Sequence, residues 1–434
     1  MVFTPEIIAL LVFIVTYALI VDERIHRAVC AMAGASVLIL FGILSWDQVL
    51  HHIDFGTIFL LMGMMIIVNT SRNSGLFEYI AIITGKAAKG NPIYVLFLFA
   101  IVTAVSSAFL DNVTTVLLMT PMILTISRLM NINPLPFLIS EIFASNIGGA
   151  ATLIGDPPNI MIASASGLGF NDFLTVMGPI AIVDMVVVLI ILYALYGKEL
   201  KISADDQKTI AHAINGLDEK SAILDKPLFT KSVIVLLLVI ALFFLHSSLG
   251  LEPAEVALIG ASILLIWSRE SPELILEKIE WPALFFFGGL FILVGGLVET
   301  GLITSIADVM IHSVNGTGEA MFIITWFSAI ASGLVDNIPL TAAMIPLIQD
   351  LGVSGAFDIY PLWWALSLGA CLGGNLTAIG ASANVVVLGI MEREGESITF
   401  IQFLKLGALI TFTTVTTGLI LLYIMFPETI PIVF

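Results

Sequence analysis

The chain has 434 residues, of which 59% are hydrophobic and 11% charged. Soluble domains carry about 25% charged residues, so the composition excludes a soluble enzyme or binding module and requires an integral membrane protein. The formal net charge of −17 argues against a nucleic-acid partner.

The first apolar run, residues 6–21, has no basic stretch before it and no small-residue cleavage site after it. It reads as a membrane helix and not as a removed leader. Further crossings are predicted at about 28–44, 57–71, 136–168 and 174–197, then at 232–249, 254–267, 283–298, 361–391 and 401–425. Two apolar stretches, 92–128 and 320–350, are interrupted in the middle by Asp-Asn, with each half short for a tilted span. They read as re-entrant hairpins. Gly75–Gly90 is amphipathic enough to lie along the interface, a poor extra span being the other reading. Lys198 to Lys231 mixes both signs (Asp205, Asp206, Lys208, Asp218, Glu219, Lys220). It reads as a solvated tether, with a regulatory loop as the alternative. The chain thus divides into residues 1–197, a linker 198–231 and residues 232–434.

Basic residues set the sidedness. With the N-terminus outside, Arg24, Arg27, Arg72, Lys86, Lys89, Arg128, the linker lysines, Arg269, Lys278, Arg393 and Lys405 all fall on the cytoplasmic side. The opposite loops, Ser45–Gly56, Glu299–Glu319 and Asp350–Tyr360, hold acids but no Lys or Arg. Five crossings per half is an odd number, so the halves are inverted relative to each other. The expected fold is an all-α polytopic protein of the cell membrane. It has two inverted repeats, each of about five crossings plus one re-entrant hairpin and one broken helix. That is the architecture of a secondary transporter with its site at the repeat interface.

The halves also share motifs. Asp111-Asn112, Pro121, Gly148-Gly149, Thr152, Gly155 and Asn159 recur as Asp336-Asn337, Pro346, Gly373-Gly374, Thr377, Gly380 and Asn384, each 225 residues later. Helices broken at membrane depth leave backbone groups without intrahelical partners. Such backbone is tolerated only when buried in protein or lining a cavity. The tip residues Asp111, Asn112, Asp336 and Asn337 are therefore expected to bind the transported species. Asn112 and Asn337 would serve as cation ligands if sodium is the coupling ion. An intramembrane Asp is costly enough to need a task; capping its own helix is the structural alternative. At Gly155-Asp156-Pro157-Pro158-Asn159 the prolines force a break. The second copy, Gly380-Ala381-Ser382-Ala383-Asn384, lacks them and is expected to break more gently. Thr114, Thr115, Thr152, Thr341 and Thr377 supply hydroxyls at the same depth, each alone as readily a back-bonded helix threonine. Asn375 faces Ala150 across the repeat, and Asp156 faces Ala381, so the halves are chemically unequal. Glu141 and Asp184 are weaker candidates for a proton path. Cys30 and Cys371 lie in apolar runs, and the histidines form no metal-binding spacing.

The two motif blocks, Phe109–Thr115 and Asn146–Asn159, resemble those of the P-protein (pink-eyed dilution) branch of the ion transporter superfamily. Its relatives include arsenite permeases, NhaD-type sodium/proton antiporters and divalent anion/sodium symporters. The resemblance implies a homodimer in which a mobile transport layer moves as an elevator against a scaffold. In the divalent anion symporters the tip reads Ser-Asn-Thr, which Asp111-Asn112-Val113 and Asp336-Asn337-Ile338 replace here. A carboxylate at the tip would repel a dianion unless protonated or paired with a cation. No membrane-embedded Lys or Arg is expected to hold an anion. The reading is therefore a proton- or sodium-coupled antiporter or efflux permease for a small ion or an arsenite-type solute, with no resident cofactor. A sodium-coupled dicarboxylate symporter is the alternative. An ion channel of the same fold and an intramembrane aspartyl protease using Asp111 and Asp336 fit the duplicated motifs less well. No nucleotide-binding loop is present, so any ATP drive would need a separate subunit.

Overall fold

The computed structural model describes residues 4–22 and 24–429. Ten helices make up the first repeat: α1 (Pro5–Asp22), α2 (Arg27–Leu40), α3 (Trp46–His52), α4 (Phe55–Arg72), α5 (Leu76–Ala87), α6 (Pro92–Phe109), α7 (Asn112–Met130), α8 (Leu135–Ala150), α9 (Pro157–Ser166) and α10 (Phe170–Tyr196). After α11 (Ala204–Asn215) the same series returns as α12 (Lys226–Leu249), α13 (Pro253–Ser268), α14 (Pro272–Glu277), α15 (Trp281–Glu299), α16 (Leu302–Ser313), α17 (Thr317–Leu334), α18 (Asn337–Val353), α19 (Tyr360–Gly373), α20 (Ser382–Arg393) and α21 (Phe400–Met425). α6 to α9 begin at 92, 112, 135 and 157, and α17 to α20 begin at 317, 337, 360 and 382, a constant 225 residues later. The fold is an all-α membrane protein of two inverted repeats. Among the described residues, nine helices are long and apolar enough to cross a bilayer.

The helices form two layers. In one, α2 packs on α15 and α4 on α13, with α1 and α12 alongside. In the other, α6 packs on α8, α17 on α19 and α10 on α21. α8 and α19 are buried on every side from Pro136 to Ala150 and from Pro361 to Gly373, the mark of central helices. Phe99, Phe137, Phe143, Phe173 and Trp364 are among the largest fully buried side chains. Outward faces are apolar, as with Ile182, Val186 and Ile190 of α10, which suits contact with lipid. Close helix approach depends on small residues. A Cβ on Gly148 would lie 2.1 Å from the Ala104 carbonyl oxygen, and one on Gly373 would lie 2.4 Å from that of Ala329.

Several details differ from the sequence expectation. The hairpin arms α6 and α7 have 18 and 19 residues, about 27 Å at 1.5 Å per residue, and so are not short. The second break is as complete as the first: Gly374–Ala381 is non-helical, as is Ala151–Asp156. Side-chain hydrogen bonds explain this better than proline does. Asn159 Nδ2 donates to the carbonyls of Ala150 (3.2 Å) and Thr152 (2.9 Å), and Asn384 Nδ2 to those of Gly374 (2.7 Å) and Thr377 (2.9 Å). The Thr152 hydroxyl donates to the Ala108 carbonyl and that of Thr377 to the Gly333 carbonyl. α5 lies where the amphipathic segment was expected, but its counterpart α16, within the predicted loop 299–319, was missed.

The linker is not a free tether. α11 buries Ile210 and Ile214 and packs on α5 and α7. Gln207 Nε2 donates to the Lys89 carbonyl at 3.2 Å, the Leu224 amide to the Ser74 carbonyl at 3.0 Å, and Lys86 pairs with Glu219.

Candidate functional site

The tips of both hairpins meet the first helix break. Leu110 and Asp111 separate α6 from α7, and Val335 and Asp336 separate α17 from α18. Each Asp caps the returning helix. Asp111 Oδ1 accepts from the Thr114 amide at 3.0 Å, and the Thr114 hydroxyl donates to the other oxygen. Asp336 Oδ1 accepts from the Ile338 amide at 3.2 Å. The two tips are not equivalent. Asp336 has φ +73° and ψ 141°, whereas Asp111 has φ −65°. Holding a residue other than glycine in that region costs about 1–3 kcal/mol.

Asp156 is buried at the N-terminus of α9. Its carboxylate accepts from Asn337 Nδ2 at 3.2 and 3.1 Å and from Asn112 Nδ2 at 3.4 Å. One carboxylate of the first repeat thus holds the asparagine of each tip. Asn112 Nδ2 also reaches Asn146 Oδ1 at 3.3 Å. Asn146 Nδ2 in turn donates to Asn375 Oδ1 at 2.9 Å and Asn384 Oδ1 at 3.0 Å. This buried polar chain crosses from one repeat to the other, and networks of this kind rigidify a core when satisfied. Unequal positions in the two repeats make it possible. Asn146 has Cys371 as its counterpart 225 residues on, and Asn375 has Ala150.

A cavity of about 40 Å3 lies among these groups, lined by Asp111, Asn112, Asp156, Pro157, Asn337 and Ser382, with Arg27, Glu280 and Phe286 on its wall. It has room for a small ion or a few waters. Asp336 faces a larger vestibule of about 370 Å3 beside the α1–α2 turn, shared with Arg27 and Ser382. A vestibule of about 580 Å3 beside the α12–α13 turn includes His246, Glu252, Leu153 and Ile160. The two are related by the repeat: Glu252 caps α13 where His26 caps α2, and Ile160 stands where Val385 does.

The remaining expected residues hold the framework. Thr152, Thr377 and Thr341 donate to backbone carbonyls, the last to Asn337 at 2.8 Å. Thr115 is buried, and its hydroxyl has no partner among the described residues. Asn159 and Asn384 tie down the two breaks. A Cβ on Gly155 would lie 2.5 Å from the Ser107 carbonyl oxygen, and one on Gly380 would lie 2.8 Å from that of Gly374. Asn375 Nδ2 lacks a partner among the described residues. Away from the cavity, Glu141 accepts from the Thr120 hydroxyl at 2.9 Å, and both Asp184 oxygens lack partners among the described residues.

The expectation that no basic side chain reaches the site is overturned. Arg27 Nη1 lies 3.0 Å from Asp336 Oδ2 and 2.7 Å from Ser382 Oγ, with the guanidinium carbon 5.2 Å from the centroid of Phe286. The reason is packing: α2 lies against α15 and begins at Arg27, at the turn that borders the second hairpin tip. Tyr17, on α1, also reaches the second tip and donates to the Pro339 carbonyl at 2.7 Å. Sequence reasoning missed Arg27, Tyr17, Glu280 and the role of Asn146. Only Asn146, within the motif block, carried a signal.

Comparison with known proteins decides the family. The profile described as "Citrate transporter" matches residues 17–369. The chain belongs to the citrate transporter family. Within that setting, an uncharacterized transporter of Mycobacterium tuberculosis is 42% identical over 428 residues, covering 97% of this chain and 99% of its own. The human P protein is 33% identical over 502 residues, covering 96% of this chain, which spans 59% of the P protein's length. The solved YdaH transporter of Alcanivorax borkumensis has the same fold, with a TM-score of 0.62 at 13% identity, over 97% of this chain and 99% of that one. The chain is a membrane transporter of the type shared by citrate transporters and P proteins, and not an enzyme.

Proposed function

We propose that the protein is a secondary active transporter that exchanges a small ion or an arsenite-type inorganic solute for protons or sodium. The observation that carries this reading is the charge around the small cavity. Asp111, Asp156 and Glu280 line it, Asp336 adjoins it, and Arg27 is the one basic side chain in its wall among the described residues. Such a site favours a cation, or a neutral solute accompanied by a proton, over an anion. Residues 1–197 and 232–434 serve as the repeats, with 198–231 cytoplasmic and the N-terminus outside. The layer built on α6–α10 and α17–α21 carries the cargo past the layer built on α1, α2, α4, α12, α13 and α15, as an elevator in a homodimer of the plasma membrane.

A second reading, sodium-coupled carboxylate symport, rests on Arg27. Its guanidinium faces a vestibule of about 370 Å3, within the usual range for organic ligands, and the family is described by citrate. The test uses purified protein in liposomes that hold a pH-sensitive dye, challenged in turn with sodium, lithium, arsenite, succinate and citrate. Proton movement on addition of sodium, lithium or arsenite supports exchange. A response to carboxylates alone, with sodium required, overturns it in favour of symport.

A further inference from the structure

We propose that Arg27 is a built-in substitute cation for Asp336, which locks the empty carrier and so enforces coupling. This rests on the exchange reading above. Arg27 belongs to α2, in the layer that also contains α15, whereas Asp336 belongs to the opposite layer with α17 and α18. The 3.0 Å contact between them therefore bridges the two layers at a hairpin tip. Three further observations make it a lock and not an incidental surface pair.

The contact is built. Nη1 of Arg27 also donates to Ser382 Oγ at 2.7 Å, Ser382 Oγ lies 3.2 Å from the same Asp336 oxygen, and Phe286 lies beneath the guanidinium. The side chains of Arg27 and Asp336 are 33% and 16% exposed, so the pair is shielded from much of the screening that weakens surface ion pairs.

The contact is one-sided. α2 begins at Arg27 and α13 at Pro253, so a proline replaces Arg27 in the second repeat, and Asp111 is held by Thr114 of its own helix. Among the described residues, only the second tip is tied to the other layer by Arg27 and Tyr17.

The contact sits on a strained backbone. Asp336 has φ +73°, so the tip has a conformation to relax into once the carboxylate is released. A two-state element biased by ligand is what a coupling switch needs. A proton or cation on Asp336 removes the partner that Arg27 requires, and the layers separate; an empty, ionised Asp336 re-forms the pair and stays in place. Glu280 also faces Arg27 and Asp111 across the cavity and offers the guanidinium an alternative partner in its own layer when Asp336 is occupied.

The test compares wild type, Arg27→Gln and Arg27→Lys in proteoliposomes. Two quantities are read: ion-triggered proton exchange, and decay of an imposed pH gradient when no exchangeable ion is present. The expected result is a leak at least tenfold faster in Arg27→Gln, with fewer ions moved per proton, and substantial return of coupling in Arg27→Lys. A merely structural role would lower exchange and raise no leak. Arg27→Met, which keeps the aliphatic stem against Phe286, replaces Arg27→Gln if that variant is not recovered folded. Wild-type coupling in the neutral variant, or loss of exchange without leak, overturns the lock. Failure of the wild type to move protons with any ion instead overturns the exchange reading.

Discussion

Asn337 Nδ2 lies 3.2 and 3.1 Å from the two carboxylate oxygens of Asp156, and this contact joins the second hairpin tip to the first repeat's broken helix. Hydrogen bonds to charged groups contribute about 1.5–3 kcal/mol. Asn337→Ala is therefore expected to weaken binding of the transported ion by roughly ten- to hundredfold, read as a rise in the half-saturating ion concentration. An unchanged half-saturation would mean that Asp156 is held in place by Asn112 alone.

Asp111→Asn and Asp336→Asn should each abolish coupled proton flux while the protein still elutes as a folded species. In Asp111→Asn the new amide oxygen can still cap α7 through the Thr114 amide. The two variants should part on one point: Asp336→Asn also removes the partner of Arg27, so it alone should alter leak. Retention of wild-type coupled flux in both would take the tip carboxylates out of the mechanism.

Gly148 and Gly373 have no room for a side chain beside the Ala104 and Ala329 backbones. Gly148→Val and Gly373→Val should each destabilise by at least the roughly 1–3 kcal/mol typical of overpacking, because backbone must move. Thermal unfolding in detergent is the measurement. Equal losses would match the equivalent positions of the two glycines, and a melting temperature unchanged in either variant would contradict the packing described.

The linker contact gives a pH prediction. The hydrogen bond from Lys86, followed by one from backbone, holds the Glu219 carboxyl below its ordinary range. A carboxyl whose value is lowered in the folded state stabilises docking above its unfolded value, about pH 4, and loses that contribution as the pH falls through the folded value. Proteolytic cutting within 198–231 should accelerate over that acid range, and Lys86→Ala should remove the pH dependence. Ile214→Asp, which places a charge in the buried contact with Gly85, should expose the linker at neutral pH.

Asp184 has no hydrogen-bond partner among the described residues although it is buried. Replacing such a group by an apolar one removes a desolvation cost of about 1–3 kcal/mol. Asp184→Val is expected to raise the melting temperature with exchange retained. A stabilised but inactive variant would place Asp184 on a proton route.

Hydropathy, the 225-residue duplication and the Asp-Asn, Gly-Gly and Gly-Asp-Pro-Pro-Asn motifs determined by themselves that this is a transporter-like membrane protein with paired hairpins and breaks. Those features are local. An apolar run must be a helix, a Pro-Pro step must start one, and an odd number of crossings must invert its repeat. Only the tertiary structure decided which groups meet. Arg27 reads as an ordinary cytoplasmic positive charge until the packing of α2 brings it to Asp336, 309 residues away. Asp156 gathers Asn112 and Asn337 because the repeats interlock. The linker docks because α11 offers Ile210 and Ile214 to α5 and α7. The second break opens without proline because Asn384 satisfies the carbonyls of Gly374 and Thr377. Long-range side-chain pairs follow from how helices pack, and the order of residues along the chain carries no record of that packing.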